Sequence, residues 1–234
     1  DDPAVIGSGP TVGDFTSCED AIAIAKRRGI DLPPHVLAAL TSEEWESVPP
    51  NDPRLENVEY RLIARPSNSQ SAAADHANAL GISASLMGAD LEGEARHLGQ
   101  GHAALALRSG PGVLLSGGET TVTVNGKGGR GGRNCEYLLA MAIALDGVPG
   151  IHAIACDTDG IDGTEDAAGA IITPTTLNRA AKAGLDAQVM LDGHDSYSFF
   201  AELGDLIITG PTRTNVNDFR AILIVGGECR PPVL

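Results

Sequence analysis

The run Asn125-Gly-Lys-Gly-Gly-Arg-Gly-Gly-Arg-Asn-Cys-Glu136 constrains the fold more than any other stretch, because it demands a sharp turn and then a helix. Five glycines and three cations fill the turn, and the apolar run 137–145 follows it. Glycine lets a backbone bend and bring its N–H groups close to another group. A helix opening there adds unpaired N–H donors and partial positive charge. Lys127, Arg130 and Arg133 add full charges, and an arginine fork matches carboxylate or phosphate oxygens in pairs. The turn reads as an anion site. The plainer alternative is a solvated hairpin tip.

The rest of the chain frames that turn with alternating elements. Ser17, with Asp20 three residues on, caps a helix reaching Arg28, and a short helix follows Pro33-Pro34 up to Leu40. The polar, proline-bearing stretch 41–57 separates two domains, 1–57 and 58–234. Beyond it the pattern gives a strand over 58–64, an alanine-rich helix capped at Asn68 or Ser69, a strand over 82–87 and a helix over 91–107. A buried strand at 112–115, a turn at 116–120 and a strand at 121–124 lead into the basic turn. Further strands are expected at 151–156, 206–209 and 219–225, with helices at 175–183 and 197–203 and a loose tail at 226–234. Strand–helix alternation implies right-handed crossovers, and so an α/β fold: layered helices on a mixed, largely parallel sheet.

The formal charge of −15 argues against nucleic acid and anionic membranes as partners. Four scattered cysteines without a C-x-x-C pair read as reduced thiols of a cytoplasmic protein. The chain opens on Asp1 with no Met before it, which suggests that an N-terminal portion is missing.

Ligand-capable loops follow apolar strands at 116–120, 125–133, 157–166 and 209–215. Loops at the carboxyl ends of strands can converge on one cleft. The acidic loop carries Asp157, Asp159 and Asp162 with Gly160 and Gly163 between them. Oxygen ligands at that density suit Mg²⁺ travelling with a nucleotide. The alternative is a surface loop whose aspartates only cap glycines and helix ends. Gly126, Gly128 and Gly131 form a G-x-G-x-x-G, but the acid a dinucleotide fold requires falls late, at Asp157. The histidines are scattered, and each reads as a surface or capping residue. Cys135 reads as a buried helix thiol.

The runs Leu115-Ser-Gly-Gly-Glu-Thr-Thr-Val-Thr-Val124, Gly131-Gly-Arg-Asn134, Thr158-Asp-Gly-Ile-Asp-Gly163, Thr209-Gly-Pro-Thr212 and Thr214-Asn-Val-Asn217, in this order, resemble the glycerate 2-kinase family of the MOFRL type. Many of its members carry the label hydroxypyruvate reductase. The resemblance implies two domains with the active site between them, the present chain holding a remnant of the first and all of the second. It implies phosphorylation of D-glycerate with ATP and Mg²⁺ as cofactors. Homodimerisation is left open. Arg133 falls on the family's arginine and takes the role of a phosphate- or substrate-binding cation, while the family's lysine of the first domain has no counterpart here. Cys135 stands where the family has Gln, and Arg213 where it has Gly. On this reading Lys127, Arg130 and Arg133 hold phosphates or the substrate carboxylate. Asp157 and Asp159 hold Mg²⁺ or take the hydroxyl proton. Glu119, Thr212 and Asn215 orient groups at the rim. The rival readings are an NAD(P)H-dependent hydroxypyruvate reductase and an inactive ligand-binding fragment.

Overall fold

The computed structural model describes residues 2–124, 126 and 128–226. Asn125, Lys127 and 227–234 lie outside the described residues, and so does most of the expected tail. The chain divides into two compact units, Asp1–Ile63 and Ala64–Leu234.

The first unit carries helix α1, Cys18–Arg28, and helix α2, Pro34–Thr41. Ser17 accepts from the Asp20 N–H, and Asp20 reaches back to the Ser17 N–H, so the expected capping box is complete. Acids fill the first turn of α1 and Lys26, Arg27 and Arg28 fill its last, complementing the helix dipole. The strand expected over 58–64 does not form; Val58 and Tyr60 are exposed. The first unit holds no described strand for it to pair with, and alternation alone cannot hold an isolated strand in water.

The second unit is built on a six-stranded sheet in the order β1-β2-β6-β3-β4-β5. The strands are β1 Ala84–Glu94, β2 Gly112–Thr121, β3 Ile151–Asp157, β4 Gly169–Ile172, β5 Leu206–Ile207 and β6 Asp218–Ile224. Helix α3, Pro66–Ala79, packs on β1 and β2. Helix α4, Ala95–Arg108, makes the crossover from β1 to β2 and packs along α5, Arg133–Leu145. The short helices α6 Thr176–Lys182, α7 Ala187–Asp192 and α8 Ser196–Leu203 close over α5. Tyr137, Leu138, Leu139 and Met141 of α5 are fully buried and meet Ile151, Ile172, Ile222 and Ile224 from the sheet in one core.

The layered, mixed α/β architecture is as expected, but the balance of the sheet is corrected. Among the described residues only β1 and β2 pair parallel; the other four pairings are antiparallel. Two of the four come from β6, the last described strand, which inserts antiparallel between β2 and β3; the other two belong to the run β3–β4–β5. Strand–helix alternation along a sequence does not show such a late insertion.

Two local expectations also change. Residues 116–120 are strand, not turn, inside a continuous β2. Their glycines serve close approach. A Cβ at Gly117 would stand 2.6 Å from Gln70 Nε2 of α3, and one at Gly118, which has φ +117, would stand 2.1 Å from the Leu91 carbonyl oxygen. The register of β1 against β2 shifts at this point, the mark of a bulge. Residues 91–94 continue β1 before α4 begins, and 122–124 lie outside any strand. Helix α7 and strand β4 carried no recognised sequence pattern.

Candidate functional site

The antiparallel insertion of β6 has a chemical consequence. It lines up Gly118 of β2, Asp218 of β6 and Asp157 of β3 across adjacent strands at one end of the sheet. Helix α5 begins at the same end. Arg133 Nε donates to Asp218 Oδ1 at 2.9 Å, and Nη2 donates to Asp157 Oδ2 at 2.5 Å. Its Nη1 lies 3.7 Å from Glu119 Oε1, a mostly exposed carboxylate. Asp218 also accepts from Asn134 Nδ2 and from Arg220 Nη2. Arg220 is fully buried and donates further to the Gly117 carbonyl and the Thr120 hydroxyl.

The acidic loop folds onto this cluster. Asp159 N–H donates to Asp157 Oδ1, and Asp159 Oδ1 accepts from Ile161 N–H. Asp162 takes the plainer of the two roles open to this loop, capping a helix end. Its two carboxylate oxygens accept the N–H groups of Asn134 and Cys135, the second and third amides of α5. The amides expected to serve a ligand therefore already hold an anion from the protein itself. The glycines are likewise committed to packing. A Cβ at Gly132 would lie 2.2 Å from the Asp162 carbonyl oxygen, and one at Gly131 2.5 Å from Ser196 Oγ.

Burial sets the electrostatics. Asp157, Asp162 and Asp218 are buried with two guanidiniums among them. Burial lifts the Asp157 carboxyl to about 6, against the opposing pull of the Asp159 N–H and Arg133. Burial also raises Asp162, opposed by the helix amides, and lowers Arg220, opposed by Asp218. The Cys135 thiol is pushed well up by burial and stays protonated, in keeping with a packing role.

The expected site residues separate into two sets. Arg133, Asp157, Asp159 and Glu119 come together. Thr212 joins them, its N–H donating to the Asp159 carbonyl at 2.9 Å and its hydroxyl to the Thr158 carbonyl. Asn215 caps its own loop by accepting from Asn217 N–H. Arg130 is turned away, paired with Glu165 and stacked 4.3 Å over the Tyr197 ring. Lys127 lies outside the described residues. The sequence reading missed Asp218, Arg220, Glu136 and His194. Asp218 and Arg220 could have been found, since charges two apart on one face of an apolar strand signal a buried pair.

A hollow of about 260 Å³ opens beside the cluster, lined by Thr120, Val122, Val124, Arg133, Glu136, His194 and glycines of the basic turn. Among the described residues no three carboxylate, histidine or cysteine side chains form a metal cage. Magnesium needs only one or two protein carboxylates beside phosphate and water. Asp159, engaged at Oδ1 alone among the described residues, fits that demand; Asp157 is held by Arg133 and the Asp159 N–H.

A mixed α/β sheet with a buried arginine–aspartate cluster at one end, beside a glycine-lined hollow, defines the class. The sequence profile of the MOFRL family matches residues 112–218, and that of a domain of unknown function (DUF4147) matches 1–41. A protein of Agrobacterium vitis with a provisional hydroxypyruvate reductase name is 49% identical over 96% of this chain and 52% of its own length. D-glycerate 2-kinase of Thermotoga maritima is 37% identical, over 94% of this chain and 53% of that protein. The crystal structure of a glycerate kinase from the same organism superposes with a TM-score of 0.84 at 36% identity, covering 96% of this chain and 54% of that one. A glycerate kinase of Macaca fascicularis is 30% identical, with 94% of this chain and 68% of that protein covered. The chain belongs to the MOFRL-type glycerate kinase family. It spans about half the length of the first two of these relatives.

Proposed function

We propose that this chain carries the C-terminal part of an ATP- and Mg²⁺-dependent D-glycerate 2-kinase. Residues 58–234 are assigned to its MOFRL-type domain, and 1–57 to an N-terminal one. The observation that carries the reading is Arg133, fixed between Asp157 and Asp218 at the rim of a small hollow. Phosphoryl transfer needs cations and correct positioning around the moving phosphate, and little covalent chemistry from the protein. Arg133 supplies the cation, and its two carboxylate partners hold its fork in one orientation. Asp157, lifted to about 6, stands in the range of a general base and takes the proton of the attacking hydroxyl. Asp159 would hold Mg²⁺, which when bound would neutralise charge on the nucleotide phosphates. Thr212 holds the 209–215 loop against Asp159, and Glu119 faces Arg133 from the rim.

The reductase reading finds less support. The glycines of its fingerprint follow 122–124, which are not strand, and the amides at the start of α5 hold Asp162 instead of a pyrophosphate. Cys18, Cys135 and Cys156 are free thiols, as a cytoplasmic enzyme would carry. No described helix is long and apolar enough to cross a membrane.

The test uses the protein expressed from its own reading frame. ADP release is followed with D-glycerate, ATP and Mg²⁺, and NADPH oxidation is followed with hydroxypyruvate. ADP release that falls at least ~100-fold in Arg133→Ala is the expected result, the order seen when one transition-state donor is removed. NADPH oxidation without ADP release would overturn the proposal.

A further inference from the structure

The hollow holds a second polar group besides Arg133, and the chemistry above does not use it. Glu136, on α5 and buried, accepts at Oε1 from Arg96 Nε and Nη2 of α4, at 2.9 and 2.7 Å. Its Oε2 lies 2.9 Å from His194 Nδ1. Arg96 is anchored in turn to the Leu191 carbonyl at the end of α7, and its Nη2 stands 3.3 Å from the same ring nitrogen. A carboxylate oxygen can only accept and a guanidinium can only donate; the carboxylate contact is the shorter, so Nδ1 carries the proton and donates to Glu136, and the Arg96 approach is not a hydrogen bond. In the neutral ring the lone pair is then at Nε2. Nε2 makes no hydrogen bond among the described residues, and His194 lines the hollow. Its backbone is left-handed at φ +53, a conformation uncommon outside glycine and often kept at ligand sites.

Size and walls restrict what could meet that nitrogen. At about 260 Å³ the hollow falls below the usual range for drug-sized ligands, so it suits a molecule of a few heavy atoms and not a whole nucleotide. Val122 and Val124 give it an apolar wall, Arg133 a cation.

We propose that His194 is a specificity-determining residue of the acceptor pocket. A small dihydroxy acid lies with its phosphorylated hydroxyl toward Arg133, where the moving phosphate sits, and His194 Nε2 accepts a hydrogen bond from the hydroxyl that is not phosphorylated. Glu136, braced by Arg96, is the positioning residue that fixes the ring. The identity of the acid as D-glycerate rests on the kinase reading. A site built to bond a hydroxyl rejects the analogue that lacks it, because its own polar group is then left unpaired.

The experiment measures calorimetric affinities of this chain for D-glycerate and for D-lactate, the analogue without the second hydroxyl. Wild type should prefer D-glycerate by at least ~10-fold. His194→Asn keeps an N–H donor for Glu136 but has nothing at the Nε2 position, and the preference should fall to about onefold. His194→Gln, whose amide reaches the Nε2 position, should keep most of it. A purely structural histidine would leave the ratio unchanged in His194→Asn, and that result overturns the inference, as would no binding of D-glycerate or no preference in wild type. If His194→Asn does not fold, loss of the preference in a folded His194→Gln overturns it instead. Discrimination without ADP release would remove the kinase reading and leave the pocket. ADP release with the preference unchanged in His194→Asn would do the reverse.

Discussion

Asp157 and Asp218 stand directly opposite one another across β3 and β6, and Arg133 donates to both. Like charges on facing strand positions repel. The pull of the guanidinium on Asp157 outweighs that repulsion, but burial outweighs both, and the Asp157 carboxyl sits at about 6. The native state therefore holds a proton there that the unfolded chain, at the ordinary value of 3.8, has released. The stabilising contribution is present below 3.8 and lost as pH rises through about 6. Asp157→Asn should thus be at least as stable as wild type at pH 8, with the advantage shrinking toward pH 4, read by urea midpoints at each pH. The same variant should lose about 10²- to 10⁴-fold in phosphoryl transfer, the range for a missing general base.

Asp218→Ala should behave differently. It strands Arg220, which is fully buried and has Asp218 as its ion-pair partner among the described residues. Breaking a buried pair by removing one member costs about 3–5 kcal/mol. A urea midpoint close to that of wild type would show that water or another group reaches Arg220.

Two glycines of α4 give a paired test. Gly99 lies against α5, where an added Cβ would meet the Tyr137 carbonyl oxygen at 2.3 Å; at Gly101 nothing lies within 4 Å. Gly101→Ala should stabilise by roughly 0.5–1 kcal/mol through helix propensity. Gly99→Ala should destabilise by about 1–3 kcal/mol through overpacking at the α4–α5 contact. Thermal melts of the two variants should move in opposite directions.

His102 adds an acid sensitivity. Its Nδ1 bonds the Tyr137 hydroxyl at 2.8 Å, and burial, with Arg220 nearby, holds its pKa near 4. The folded value lies below the ordinary 6.5, so the unfolded chain binds the proton first. The contribution to stability is complete above 6.5 and is lost as pH falls toward about 4. His102→Gln should flatten that part of the profile; an unchanged slope would assign the acid sensitivity elsewhere.

Much of this protein was readable along the chain. The Ser17–Asp20 capping box, the apolar run behind Arg133 and the β3 strand ending at Asp157 are local signals. Each depends on residues a few positions apart, and each formed as expected. The family runs brought Arg133, Asp159 and Thr212 forward together, and the density of acids after β3 brought Asp157. The turn expected at 116–120 failed because glycine has two uses, bending a chain and admitting a neighbour. Only the neighbour, here Gln70, Leu91 and Asp218, decides between them.

The sequence by itself determined the start of α1, the apolar runs of α5 and β3 and which loops carry charge, because those follow from periodicity and capping over short distances. The tertiary structure alone decided that β6 slides antiparallel between β2 and β3, and so that Asp218 meets Asp157 and Arg133. It alone gave the amides of α5 to Asp162 and turned Arg130 away to Glu165. The physical reason is that a charge is settled by its partners, and the partners here lie 24 to 85 positions from Arg133 and 35 from Arg130.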